Sequence, residues 1–309
     1  MKKFLLKLPI PVSAIGLSFA GLAGLFAEYG LIKNSFMIIS CLILVSVIVK
    51  FFLNPTMFKE QLNQAPIAAT FPTFFMALAF LSKLFLTIHY YTALIIWLVA
   101  TLGHCWCIIS FTKKFATKRD LSLVLPSWFI VYVGIVASAI AAPVFNMPIL
   151  IRVAQLILAF GYISFFILLP IIVKRIKTIP LPEPLQATFG IFAAPASLNL
   201  VGYLAITTNK SFTLIVLQAI LALLLYVIVL VNLFSLIKKN FSPAQVALTF
   251  PLVISATAIK LSTGVFVTKM ASLASISMFI SYLALIIAVL VVFIVFIRYL
   301  NFTRNAVKK

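Results

Sequence analysis

Long apolar runs separated by short polar stretches recur along all 309 residues of the chain. Ten of these runs are long enough to cross a hydrocarbon layer about 30 Å thick as helices. They span roughly 8–27, 35–53, 66–88, 90–112, 122–142, 147–174, 186–207, 211–237, 243–265 and 270–300. Because the connections are short, consecutive helices are predicted to be antiparallel, so that the ten helices form five helical hairpins.

The basic residues alternate between the two ends of these helices. Of the 24 Lys and Arg residues, eighteen lie on the side of the amino terminus and six on the other side. Those six are Lys33, Lys83, Arg152, Lys210, Lys260 and Lys269. Since cytoplasmic ends carry the excess of basic residues, we expect a multi-pass protein of a prokaryotic cytoplasmic membrane with both termini cytoplasmic. The chain is then one transmembrane domain over 1–309, with short cytoplasmic tails at 1–7 and 301–309.

Composition excludes a soluble fold. Hydrophobic residues make up 64% of the chain, and the mean hydropathy is +1.26, whereas a globular domain is about 45–50% apolar. The net charge of +20 would suggest nucleic-acid binding in a soluble protein, but no soluble surface is left to carry it. The charges therefore predict membrane orientation and contact with anionic lipid, and an anionic solute is the sharper alternative. No nucleic-acid partner is expected.

The odd-numbered runs differ from the even-numbered ones. Odd runs carry hydroxyl, small and proline residues, whereas even runs are nearly pure aliphatic and aromatic sequence. Proline frees a backbone carbonyl that neighbours or water must satisfy, and small residues allow close helix approach, so the odd helices are predicted to form an inner layer. One residue punctuates each odd run: Gly16, Pro72, Pro126, Pro195 and Pro251. The alternative is that prolines scatter through polar-leaning helices without any symmetry.

Five segments carry a family resemblance. They are LPIPVSAIGL at 8–17, ATFPTFF around Phe71 and Pro72, LVLPSW at 123–128, QATFGIFAAP at 186–195 and LTFPLVISATAIK at 248–260. Together they resemble the tellurite-resistance and dicarboxylate transporter family, the TehA-like proteins that include plant slow-type anion channels. The resemblance implies a homotrimer in which each protomer has its own pore, lined by the five odd helices in a quasi-fivefold array. It also implies that a phenylalanine closes the pore, which by motif is Phe250. The candidates for the pore lining or for helix kinks are Gly16, Phe71, Pro72, Pro126, Pro195 and Pro251.

The sequence is compatible with three functions. The four acids (Glu28, Glu60, Asp120 and Glu183) lie outside the apolar runs, which disfavours cation conduction and proton coupling. The leading hypothesis is an anion channel or channel-like uniporter with an uncharged, hydroxyl-lined pore. The alternatives are a secondary carrier or exporter of C4-dicarboxylate, sulfite or tellurite, and a membrane scaffold without transport.

Two further candidate sites are a basic residue that could bind anions and a stretch that could bind a metal. Lys260 lies in the outward half of the ninth run, where it either draws anions into an outer vestibule or extends to the lipid headgroups. The His104–Cys107 stretch resembles a metal site, but Cys105 and Cys107 point to different sides of a helix. No nucleophile–base pair or nucleotide loop is present in the sequence. We therefore expect no enzyme activity, no metal and no cofactor.

Overall fold

The computed structural model describes residues 2–270, 272 and 274–308, and every regular element within these residues is helical. Eight helices are long and apolar enough to cross a membrane: Gly30–Leu53, Ala65–Phe85, Tyr90–Lys118, Pro148–Thr178, Glu183–Ile206, Phe212–Lys238, Pro243–Lys269 and Ala274–Lys308. Two further apolar helices, Ile10–Leu25 and Val136–Phe145, are shorter. The prediction of an all-α polytopic protein is confirmed at this level. The ten-helix array stays a prediction, because its first and fifth members are short.

We label the main α-helical segments in chain order. They are α1 (Ser13–Leu25), α2 (Gly30–Leu53), α3 (Thr73–Phe85), α4 (Tyr90–Lys114), α5 (Val136–Ala141), α6 (Pro148–Thr178), α7 (Ala194–Ile206), α8 (Phe212–Lys238), α9 (Thr249–Lys269) and α10 (Ala274–Lys308). Shorter α-helices cover Lys2–Lys7, Pro55–Gln61, Ala65–Thr70 and Trp128–Tyr132. Stretches of 3₁₀-helix cover Ile10–Val12, Ala116–Lys118, Leu121–Leu123, Ala142–Phe145, Glu183–Ala193 and Pro243–Leu248.

The two segments predicted as tails are helical where they are described. Lys2–Lys7 packs against α10, and α10 itself continues through 301–308. Met1 and Lys309 lie outside the described residues.

The odd-numbered helices contact one another in a cycle. Helix α1 packs on α3, α3 on α5, α5 on α7, α7 on α9, and α9 returns to α1. Each even-numbered helix packs on the odd helix that precedes it in the chain. Burial follows the same division, because 56–78% of the most apolar window is buried in the spans containing α3, α7 and α9, against 22–39% in the even helices. The even helices are therefore the more exposed ones.

Backbone breaks mark the beginning of the odd helices. A 3₁₀ stretch precedes α1, α7 and α9, and a break at Phe71–Pro72 precedes α3. Nearby hydroxyls donate hydrogen bonds to backbone carbonyls at these breaks. Ser13 Oγ donates to Ile10 O at 3.1 Å, and Thr249 Oγ1 donates to Val246 O at 2.7 Å. Other hydroxyls tie neighbouring odd helices together. These pairs are Ser13 with Thr73 at 2.8 Å, Ser18 with Thr249 at 2.8 Å and Ser197 with Ser255 at 3.1 Å.

The fifth predicted helix is broken at Gly134. The N–H groups of Val133 and Gly134 both donate to Phe129 O, at 2.8 and 3.1 Å. A Cβ at position 134 would lie 2.2 Å from Ile130 O, so only glycine fits this bend. The break explains why an apolar run long enough to cross a membrane yields two short helices.

Helix α4 supports this broken segment with two buried side chains. Nε2 of His104 lies 3.0 Å from Val131 O, and Trp97 Nε1 donates to Ser138 O at 2.9 Å. Because a carbonyl only accepts hydrogen bonds, the proton of His104 is on Nε2. The His104 imidazole thus donates a hydrogen bond that ties α4 to the broken segment.

Replacing His104 with leucine is expected to lower the thermal midpoint of unfolding in detergent by a few degrees. The change leaves the buried Val131 carbonyl without its donor, which costs about 1 kcal/mol. Thr101→Val on the same helix is the control, because the Thr101 hydroxyl bonds only to Trp97 O in its own helix. Equal midpoints for the two variants would contradict a supporting role for His104.

Basic side chains connect each even helix, through hydrogen bonds, to the segment that leads into the odd helix before it in the chain. In every case the basic residue lies in the last turns of an even helix or just beyond it, and its acceptor is a carbonyl or side-chain amide oxygen. The pairs are Lys50 with Leu8 O, Lys114 with Asn63 Oδ1, Arg175 with Ser122 O, Lys239 with Gln186 Oε1, and Arg298 with Lys239 O. Some of the Lys and Arg residues on the same side of the helices as the amino terminus therefore hold the beginnings of the odd helices in place.

Candidate functional site

A first cavity of about 250 Å³ lies among the beginnings of the odd helices. Its wall includes Ala14 of α1, Thr73 and Met76 of α3, Phe129 and Gly134 before α5, Ala194 and Leu198 of α7, and Phe250 of α9. The segments that lead into these helices also line this cavity, with Gln64, Pro184 and Ser242 among their residues. All five odd segments thus contribute to one cavity.

A second cavity of about 530 Å³ lies among later residues of the same helices. Its wall includes Gly21 and Gly24 of α1, Phe80 and Lys83 of α3, Ile140 of α5, Val201 and Leu204 of α7, and Val253 and Thr257 of α9. Because each of the five odd segments lines the first cavity with earlier residues and the second with later ones, the two cavities follow one another along these segments.

Phe250 lies between the two cavities. It is the one residue, among those described, that lines both. Its side chain is 5% exposed, and its ring centroid is 6.0 Å from that of Phe80. Gly21 lies beside it on α1, where a Cβ would be 3.7 Å from Phe250 Cε2. The ring therefore lies at the boundary between the two cavities.

The cavity walls are mostly apolar. The hydroxyls of Thr70, Thr73, Thr188, Ser242 and Thr257 are present, and each donates to a backbone carbonyl at 2.6–2.9 Å. Their protons are therefore engaged in the protein and are not directed at a solute. The expected hydroxyl lining exists, but it supplies little hydrogen bonding to an anion.

No carboxylate lines either cavity within the described part of the chain. Asp120 lies in a loop, where hydrogen bonds from the side chain and the backbone N–H of Ser122 lower its pKa. Glu28 pairs with Lys260, at 3.6 Å between carboxylate oxygen and Nζ. Among the described residues, the walls of the two cavities therefore carry no fixed negative charge, which disfavours cations.

Comparison with known families agrees with this geometry. The family described as voltage-dependent anion channel matches residues 7–305. This chain belongs to the voltage-dependent anion channel family. The match confirms the resemblance drawn from the five sequence segments. No curated protein matches the chain. Members of this family move anions across membranes and are channels or transporters, not enzymes.

Three of the predicted pore residues line the first cavity of this family member. They are Phe250, Pro195 and Pro251. The other proline positions lie at breaks in the backbone. Pro72 immediately precedes α3, and the carbonyl of Pro126 accepts from Phe129 N at the start of a short helix.

Gly16 and Phe71 face away from both cavities. A Cβ at Gly16 would lie 3.2 Å from Ile43 Cγ2 of α2, and Ser40 Oγ donates to Gly16 O at 2.8 Å. The ring of Phe71 packs with those of Phe58, Phe74 and Phe75, at centroid distances of 5.6–6.0 Å. Gly16 therefore serves helix packing, and Phe71 belongs to an aromatic cluster beside α2 and α4.

The basic residues that line the second cavity do not include Lys260, the one predicted from the sequence. Lys260 donates to Leu25 O at 3.2 Å, pairs with Glu28, and is not among the lining residues. Lys83 and Lys210 line that cavity instead. The sequence carries a signal for Lys83, because Phe80, Lys83 and Leu84 are spaced to share one helix face. Lys210 lies in the connection before α8 and has no such signal.

Proposed function

We propose that this protein is an anion channel, or a channel-like uniporter, in which the two cavities form one path through the membrane and Phe250 closes it. The observation that carries this proposal is that Phe250 lines both cavities. The cyclic packing of the odd helices supports five hairpins in a quasi-fivefold array, with odd helices inside and even helices outside. In this arrangement Pro195 and Pro251 lie in the pore wall, and Gly16, Pro72 and Pro126 mark helix contacts and breaks.

The wider setting of the proposed channel follows from charge and family. Eighteen basic residues on one side support cytoplasmic termini in a prokaryotic cytoplasmic membrane. Residues 1–309 then form a single transport domain in contact with membrane lipid. Family resemblance supports a homotrimer in which every protomer has its own pore.

The wall chemistry favours small monovalent anions that lose water easily. Because the hydroxyl protons of the first cavity are engaged with carbonyls and no basic residue lines it, its wall and the Phe250 ring offer little to replace a hydration shell. Anions with a low dehydration cost, such as nitrate or iodide, should therefore pass better than fluoride. The surplus of lysines over carboxylates keeps cations out.

Planar-bilayer recording in a chloride gradient tests this function. With purified Phe250→Ala protein, we expect the current to reverse near the chloride equilibrium potential, since no carboxylate on the path favours the cation. Replacing chloride by nitrate on one side should shift the reversal potential toward higher nitrate permeability. Reversal near the cation equilibrium potential would contradict anion conduction.

A secondary carrier for a dianion such as a C4-dicarboxylate, sulfite or tellurite is the second candidate. One observation favours it, because Lys83 and Lys210 line the same cavity and together offer two positive charges to a bound solute. A carrier exchanges labelled dianion across liposomes without net current, whereas a channel passes current without requiring exchange. Silence in the bilayer together with saturable exchange would favour the carrier.

A further inference from the structure

We propose that a lateral groove between α2 and α4 binds one anionic phospholipid from the leaflet on the amino-terminal side of the membrane. The lateral groove consists of two adjoining pockets of about 380 and 510 Å³, which share Lys59, Leu62, Phe71 and Trp106. Neither pocket shares a lining residue with the two cavities described above. The inference therefore does not rest on the proposed transport function.

A row of four aromatic rings joins α2 to α4 and lines the larger pocket. The rings are those of Phe51, Phe58, Phe71 and Phe75, and successive centroids are 5.4, 5.7 and 5.6 Å apart. Gly103 of α4 leaves room for the last ring, since a Cβ there would lie 2.1 Å from Phe75 Cε1. Because α2 and α4 both pack on α3, this row lies in the space between the two even helices.

The larger pocket suits an acyl chain. Every residue that lines it, apart from Lys59, is aliphatic or aromatic. Ile48 and Phe52 of α2 and Trp106 of α4 line it and are exposed, so the pocket opens toward the surroundings of the helices. In a membrane those surroundings are lipid, and an apolar groove on such a surface gains dispersion contacts when a lipid chain fills it.

The smaller pocket adds basic groups at one end of the groove. Lys59 lies in the short helix Pro55–Gln61 between α2 and α3, and Lys114 is the last residue of α4. Both therefore lie at helix ends, where lipid headgroups are expected. The Lys114 ammonium donates to Asn63 Oδ1, which ties the end of α4 to the connection that carries Lys59. Since an ammonium group has three donors, this bond leaves two of them for a phosphate.

The charge of the groove selects the headgroup. No Asp or Glu among the described residues lines either pocket, and Glu60, which follows Lys59, lies outside both. Phosphatidylglycerol brings only its phosphate charge to the two lysines, whereas phosphatidylcholine also brings a quaternary ammonium that the lysines repel. One lysine near the membrane surface strengthens binding of anionic lipid about fivefold. We therefore expect at least this preference for phosphatidylglycerol.

Charge also favours a lipid over a second copy of the chain as the occupant. A second copy would have to place carboxylates near Lys59 and Lys114, but the chain has 24 basic residues and only 4 acids. Contact between two such surfaces brings mostly like charges together. An anionic lipid supplies both the apolar chain and the negative group in one molecule.

Trp106 provides an intrinsic probe of the lateral groove. It is 54% exposed, whereas Trp97 and Trp128, the other two tryptophans, are 2% and 8% exposed. Bromine atoms on a lipid chain quench the fluorescence of a tryptophan that the chain touches. The Trp106→Phe variant measures the background from the two buried tryptophans.

The experiment uses wild-type protein in phosphatidylcholine bilayers with increasing fractions of chain-brominated lipid. The brominated lipid has either the phosphatidylglycerol or the phosphatidylcholine headgroup, and the two quenching curves give their relative affinity at Trp106. We expect phosphatidylglycerol to bind at least about fivefold more tightly. Equal affinities would overturn the proposal. Absence of Trp106 quenching by both lipids would also overturn it, because a second copy of the chain would then cover the groove.

Matched variants locate the headgroup site. Lys59→Gln/Lys114→Gln should reduce the preference to within about twofold of unity, and Lys59→Arg/Lys114→Arg should retain it. Lys59→Gln alone leaves the bond from Lys114 to Asn63 in place and should give an intermediate preference. The control Lys174→Gln/Lys177→Gln removes two exposed charges from the end of α6 on the same side, but neither residue lines the groove. An equal loss in this control would show general attraction to the surface and would contradict a specific site.

The quenching and current measurements fail independently. A preference for phosphatidylglycerol at Trp106 with no current through Phe250→Ala supports the lipid site and rejects the channel. Anion current through Phe250→Ala with equal quenching by the two lipids rejects the lipid site and leaves the channel in place.

Discussion

Phe250→Ala is expected to raise the anion conductance of the protein in planar bilayers by a factor on the order of ten or more. The ring lies where the first and second cavities meet and is almost fully buried. Removing it joins two spaces of about 250 and 530 Å³ through a gap of roughly one aromatic ring. A continuous, wider path hydrates more easily, and hydration is the condition for ion passage through an apolar constriction.

A graded series separates a plug from a general packing defect. Phe250→Leu should give intermediate conductance, and Phe250→Tyr should stay as silent as wild type because the ring is retained. Phe80→Ala is the control, since Phe80 contacts Phe250 but lines only the second cavity. If Phe80→Ala opened the path as much as Phe250→Ala, looseness of packing rather than the ring at position 250 would govern conduction.

The prediction of Phe250 as the pore gate rests on two features of the sequence. A proline directly after an aromatic residue in a polar-leaning membrane helix marks a backbone break in the inner layer, and the family motif then selects the residue. The same patterns did not distinguish a pore wall from a helix contact. Gly16 is small because α2 packs closely on it, and smallness is required equally at both kinds of surface.

The sequence does not show in which direction each lysine side chain points, and this limited the prediction of which lysines line the second cavity. Counting Lys83 and Lys210 as residues of the outer ends predicts a membrane orientation, but it does not indicate which of the six basic residues on that side line the cavity. Lys260 was chosen for its depth in the ninth run, yet Glu28 and the Leu25 carbonyl engage it. Hydropathy also could not reveal the bend at Gly134, because the residues on both sides of the bend are as apolar as a continuous span.

Gly190→Ala is expected to destabilise the protein by about 1–3 kcal/mol, the cost of overpacking a well-packed interior. Gly190 lies in the 3₁₀ stretch Glu183–Ala193, which packs against the stretch Pro243–Leu248. A Cβ there would lie 2.8 Å from the backbone oxygen of Ala247 and 2.7 Å from Leu248 Cδ2. Backbone atoms cannot move aside by changing rotamer, so the two stretches must separate. The thermal midpoint in detergent should fall by several degrees.

The position of this contact links stability to the proposed gate at Phe250. Ala247 and Leu248 come just before Phe250, so separating the two stretches displaces the start of α9 and the ring it carries. We therefore expect Gly190→Ala to leak anions in bilayers, although its side chain is not at the gate. Gly264→Ala in α9 is the matched control, because a Cβ there meets no atom within 4 Å and alanine favours the helix by up to about 1 kcal/mol. A stable, silent Gly190→Ala protein would show that the two stretches tolerate separation and that the gate does not depend on their contact.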